Sequence, residues 1–143
     1  MNNRFLPLFS LALMAGATPA LAAPAASQCP GANFDAFLSA FAENPAVQQA
    51  NTAVPLVVRS IDSEADPEPQ PVTKTLGAGE VRFPVMPDTA DRQRESLTFA
   101  TTRKGGGVMQ VKLAQADTSY QVFYTFRPKG SCWSLVEIDN QSL

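Results

Sequence analysis

Apolar positions along this chain follow two rhythms. From Asn33 to Ala42 (NFDAFLSAFA), Phe34, Phe37, Leu38 and Phe41 fall at i, i+3, i+4 and i+7, one face of an α-helix. Asn33, after Pro30-Gly31, suits the N-cap, and Asp35 lies in the first turn, where the helix dipole favours a negative charge. Pro45 disfavours helical geometry in the residue before it, so the helix fades near Asn44. From Gly106 to Asp139 the rhythm is two. Met109, Val111 and Leu113 alternate with Gln110 and Lys112; Tyr120, Val122, Tyr124 and Phe126 alternate with Gln121, Phe123, Thr125 and Arg127. Asp117-Thr118-Ser119 and Pro128-Lys129-Gly130 are the two turns, the second with a glycine free to take positive φ. In the last run Trp133 and Leu135 share one face whereas Val136 and Ile138 share the other, which predicts two-sided burial or a bulge near Leu135. Turns this short make the three strands an antiparallel meander.

The middle of the chain is less regular. Ala46 to Ala53 suits a further helical turn or two, with Gln48, Gln49 and Asn51 solvated. Val54 to Ile61 (VPLVVRSI) is a β-branched run in which Pro55 marks a strand start or an edge. Asp62 to Pro71 is acidic, proline-rich and almost free of apolar residues, hence an exposed loop. Val72 to Leu76 suits a short strand, and Gly77-Ala78-Gly79 a turn. Glu80 to Met86 (EVRFPVM) suits another strand, kept at an edge or bulge by Pro84. Asp88 or Thr89 caps a short helix through Arg94, and Ser96 to Thr102 returns to alternation with Leu97 and Phe99 on one side.

The start of the chain changes the compartment. Residues 1–22 have the layout of a secretory signal peptide: Arg4, an apolar core from Phe5 to Ala15, and Ala20-Leu21-Ala22 before the cut. The apolar run is too short to span a bilayer and is broken by Pro7, Gly16 and Pro19, so no stable membrane anchor is expected. Gln28 and Ala26 stand where a lipoprotein signal needs a small residue and a leucine before Cys29. The expected product is periplasmic or secreted, with residues 23–32 a short lead segment and 33–143 one domain. An exported chain with two cysteines pairs them. A Cys29–Cys132 bridge closes a loop of about 100 residues, worth on the order of 4 kcal/mol.

Composition then removes chemistries. The 143 residues contain no histidine, hence neither the commonest general base nor the commonest zinc ligand. The formal charge is −2 and no basic run exists, so nucleic acid binding has no electrostatic support. Asp62, Glu64 and Asp66 fall where a calcium loop begins, but Pro67 replaces its glycine and Thr73 its glutamate. Arg103-Lys104-Gly105-Gly106-Gly107 is glycine-rich and basic but leads into a strand, which makes it a hairpin turn and not a phosphate cradle. No catalytic set, cofactor or metal site is assigned.

The early aromatic helix (NFDAFLSAFA), the proline-interrupted middle (FPVMPDTADRQRESL) and the ending YQVFYTF…GSCWSLVEIDNQSL resemble an uncharacterised family of small exported bacterial proteins. The resemblance runs from Cys29 onward and is sharpest at CWSLVEIDNQS. That family is similar in layout to the nuclear transport factor 2-like cone. The resemblance implies an α+β fold, with the N-terminal helix packed on a curved antiparallel sheet that ends in the meander. It transfers no activity. The expected function is a non-enzymatic domain that binds a small molecule or a protein, with the sheet face open to homodimer formation. Phe34, Phe37, Phe41, Tyr124 and Trp133 are the candidate pocket lining, although such a stripe is ordinarily core. One alternative is a small isomerase, dehydratase or hydrolase that pairs a buried carboxylate with a tyrosine, drawing on Asp35, Glu137, Asp139, Tyr120 and Tyr124. Another is a role in envelope assembly, with the Asp62–Pro71 loop as the contact.

Overall fold

The structure, a computed structural model, describes residues 29–143; the expected signal peptide and most of the expected lead segment lie outside them. The phenylalanine stripe forms α1 (Phe34–Glu43), with Asn33 as N-cap accepting from the Ala36 N–H at 2.9 Å. Asn44 ends α1 and caps α2 (Pro45–Ala50) through the Ala46 N–H, and Pro45 takes the first helical position where no N–H is needed. Then follow β1 (Thr52–Asp62), β2 (Gln70–Leu76), α3 (Thr89–Arg94), β3 (Leu97–Arg103), β4 (Met109–Gln115), β5 (Gln121–Lys129) and β6 (Cys132–Asn140).

The fold is α+β, built on a six-stranded sheet in the order β2-β1-β6-β5-β4-β3. The closing meander β4-β5-β6 forms as its alternation predicts. Every pairing is antiparallel except β1 with β6, which is parallel. Residues opposite one another on paired strands share a face. Leu56, Leu135, Phe126, Tyr124, Val111 and Leu113 are all buried and point towards α1, whose Phe34, Phe37, Leu38 and Phe41 close the core.

Several expectations are corrected. Glu80 to Met86 is not a strand: it crosses as irregular chain between β2 and α3, with Val81 and Met86 buried. Pro55 lies neither at a strand start nor in an edge strand, because β1 sits between β2 and β6. It falls where the β1–β6 register breaks between Thr52 and Val57 and before β2 pairing begins at Leu56, so its missing N–H belongs to neither ladder. Pro128 and Lys129 belong to β5, opposite Trp133 and Cys132, and leave the turn to Gly130 with φ 61° and Ser131. Ile138 does not lie on the face opposite Trp133 and Leu135: Leu135 pairs with Phe126 and Glu137 with Thr125, so Val136 is the extra residue of a bulge. The bulge changes the parity and brings Ile138, opposite Tyr124, onto the core face with Trp133 and Leu135.

Two tethers fix α1. Cys29 and Cys132 form the disulfide, 5.2 Å apart at Cα, and join the lead segment to the start of β6. Gly31 then lies against the helix, where a Cβ would stand 2.2 Å from the Phe37 nitrogen, so a residue with a side chain does not fit there. At the other end, Glu43 accepts from the Thr89 N–H at 3.0 Å, and Arg92 of α3 lies 4.2 Å over the Phe99 ring.

Candidate functional site

Of the five candidate lining residues, Phe34, Phe37, Phe41 and Tyr124 are buried in the core. Phe126 sits edge-on to all three phenylalanines of α1, at ring separations of 5.5, 5.8 and 5.2 Å, and Trp133 packs on Phe34 and Phe37. Such edge-to-face contacts fill the interior with rings. Trp133 alone of the five also walls a small surface cleft of about 190 Å³, between the β3–β4 and β5–β6 turns, with Met109 and Arg103 beside it.

The carboxylate and tyrosine candidates are not brought together. Asp35 is exposed on the first turn of α1. Glu137 and Asp139 pair with Thr125 and Phe123 and so lie on the sheet face opposite Tyr124. Among the described residues the buried polar side chains are Gln48, Thr52 and Ser134, with no carboxylate among them. Nor do three His, Cys, Asp or Glu side chains gather there as a metal site.

Burial pushes the Tyr124 phenol well above its ordinary pKa, with a smaller push from Tyr120; Tyr120 itself is raised by burial and then by the Glu95 charge. The core thus favours the neutral phenol. This contribution is complete below the unfolded phenol value of about 10 and is lost as pH rises through the higher folded value. Alkaline unfolding followed by circular dichroism should therefore begin above about pH 10 and move to higher pH in Tyr124→Phe.

Sequence reading missed the principal polar residue of the interior. Gln48, expected in solvent, is fully buried. Its side-chain oxygen accepts from the Val85 N–H at 2.7 Å and the Met86 N–H at 3.3 Å. Its amide donates to the Met86 carbonyl at 2.9 Å and the Ala42 carbonyl at 3.4 Å. One side chain therefore supplies the backbone partners that the irregular 80–86 segment lacks by not being a strand. A signal existed: Gln48 stands seven residues after Phe41 and continues the stripe of Phe34, Phe37 and Phe41 across the Asn44-Pro45 junction.

Two larger clefts lie at the surface. One, of about 400 Å³, is lined by Arg59, Ile61, Pro71, Thr73, Asp139 and Gln141 among others. The other, of about 430 Å³, lies between the α2–β1 junction and the 77–83 segment.

Comparison with protein-family models, curated proteins and solved structures finds no match to this chain. Its reading rests on its own geometry. The sheet face turned away from the core is half-buried to exposed. One row across it reads Ala100, Lys112, Phe123, Asp139, Arg59, Thr73; the next reads Thr102, Gln110, Thr125, Glu137, Val57, Thr75. Lys112 lies 5.7 Å over the Phe123 ring, and Arg59 pairs with Glu137 at 3.5 Å.

Proposed function

We infer that this chain is an exported, non-enzymatic interaction domain that pairs with a second copy of itself through the outer face of its sheet. The observation that carries this reading is the charge order of the outer row. Lys112 and Asp139 flank Phe123, each one strand away on opposite sides. A two-fold axis running along β5 between two such faces sets Phe123 on Phe123 and each Lys112 on the other copy's Asp139. An axis across the strands would set Lys112 on Lys112. Self-complementarity of this kind is what an isologous dimer requires. Under that axis β2 has no opposite strand, so five strands about 4.8 Å apart overlap and offer roughly 500 Å² per copy, below the ~800 Å² of a standard interface and in the range of a weak one.

Export is supported by the leader-like start and by the Cys29–Cys132 bridge, which persists in oxidising compartments. No helix among the described residues is long and apolar enough to cross a membrane. Helices on one face of a mixed sheet, with the meander last, support the nuclear transport factor 2-like cone as the fold's kinship.

Sedimentation velocity across a concentration series tests the pairing. A dimer that weakens with added salt is expected, with Phe123→Asp monomeric and Lys112→Glu weakened about tenfold or more. Joining Asp139→Lys to Lys112→Glu should restore association. A wild-type monomer at every soluble concentration, or no rescue by the charge exchange, overturns the reading.

A further inference from the structure

The geometry points to a ligand site in the cleft between the α2–β1 junction and the 77–83 segment, suited to a small apolar carboxylic acid in its ionised form. The site is separate from the outer sheet face and does not depend on pairing.

Val54, Val81 and Phe83 supply apolar walls, Thr52 and Gln49 line the α2–β1 side, and Arg82 supplies a cation. Val54 is 55% exposed, one of two large hydrophobic side chains so exposed among the described residues, and it faces this cleft. An apolar side chain left in water beside a cleft gains by covering with an apolar molecule. The cleft's 430 Å³ lies in the range of small-molecule sites.

The head group follows from Arg82. One of its terminal nitrogens donates to the Gly79 carbonyl at 2.7 Å, which holds the guanidinium at the turn. Arg82 takes part in no ion pair among the described residues. The nearby Glu80 carboxylate is already engaged by the Gly77 N–H. The planar fork of Arg82 keeps donors spaced for the two oxygens of a carboxylate. The wall carrying Arg82 and Phe83 is the irregular segment hung on Gln48 at Val85 and Met86, so the buried glutamine sets the width of the cleft.

The test uses the ¹⁵N-labelled, disulfide-bonded chain, titrated with octanoate below its micelle concentration and, separately, with octanol. Octanoate should shift the amides of Gly77, Ala78, Gly79, Val81 and Phe83 saturably, with octanol about tenfold weaker or more. Arg82→Gln should weaken octanoate about tenfold and leave octanol unchanged. Val54→Glu, at an exposed position, should abolish binding of octanoate without altering the remaining spectrum. Absence of saturable shifts overturns the site, as do shifts confined to the Arg59–Gln141 cleft. Equal binding of octanol and octanoate overturns the carboxylate assignment. These readouts are taken at protein concentrations where the Phe123→Asp variant is monomeric, and that variant should bind octanoate as the parent does.

Discussion

Gln48→Met will destabilise the chain by about 3 kcal/mol or more, as a lower urea midpoint at nearly unchanged slope. The substitution keeps the approximate length of the side chain but removes its amide. The Val85 and Met86 N–H groups and the Met86 carbonyl then lose their acceptor and donor inside the core. Each unsatisfied buried group costs roughly 1–3 kcal/mol, partly relieved where water or a shifted chain reaches it. The neighbouring Gln49 is exposed, so Gln49→Ala should stay within about 0.5 kcal/mol. Equal effects at the two positions would show that Gln48 is not the anchor of the 80–86 segment. The cleft beside that segment should loosen with it, so octanoate binding should also weaken in Gln48→Met.

Removing the Cys29–Cys132 bridge by the paired substitution Cys29→Ser and Cys132→Ser will lower stability by about 4 kcal/mol. The bridge spans 103 positions, and a loop that long restricts the unfolded chain by about 4.7 kcal/mol in the chain-entropy estimate, within a usual range of 2–5 for native bridges. The parent should show no free thiol by Ellman titration before reduction. Two titratable thiols, or denaturation midpoints that coincide with and without reductant, would remove the bridge from the stability of this fold.

The elements with one dominant period were legible in the sequence. The α1 stripe, its Asn33 cap and the alternation of β4 and β5 each followed from a local rule, and the staple from Cys29 to Cys132 from there being two cysteines to pair. What was not legible depends on partners distant in the chain. Glu80 to Met86 has the β-branched and aromatic composition of a strand, yet no neighbouring strand is there to take it, and Gln48 supplies its partners from thirty-seven residues away. The parallel β1–β6 pairing leaves no mark in either strand's alternation, because parallel and antiparallel neighbours bury the same residues. A bulge near Leu135 was legible as a break in pattern, but only the β5 register shows that Val136 is its extra residue and Ile138 the one it turns inward. The candidate pocket lining was read from aromatic content, which does not distinguish rings around a cavity from rings against one another. The outer-face charges were visible as residues, but their order across the sheet required the registers.

The strand order carries a consequence for how the chain is made. β6, the last strand in the order of the described elements, lies in the interior of the sheet with β1 on one side and β5 on the other. Until residues 132–140 have emerged, the β1–β2 hairpin has no sheet to join and β5 keeps an open edge. The parallel seam joins segments about eighty residues apart, the kind of non-local contact whose loop closure slows folding. The sheet therefore stays open at the β6 position until residues 132–140 are in place, whatever has folded before them.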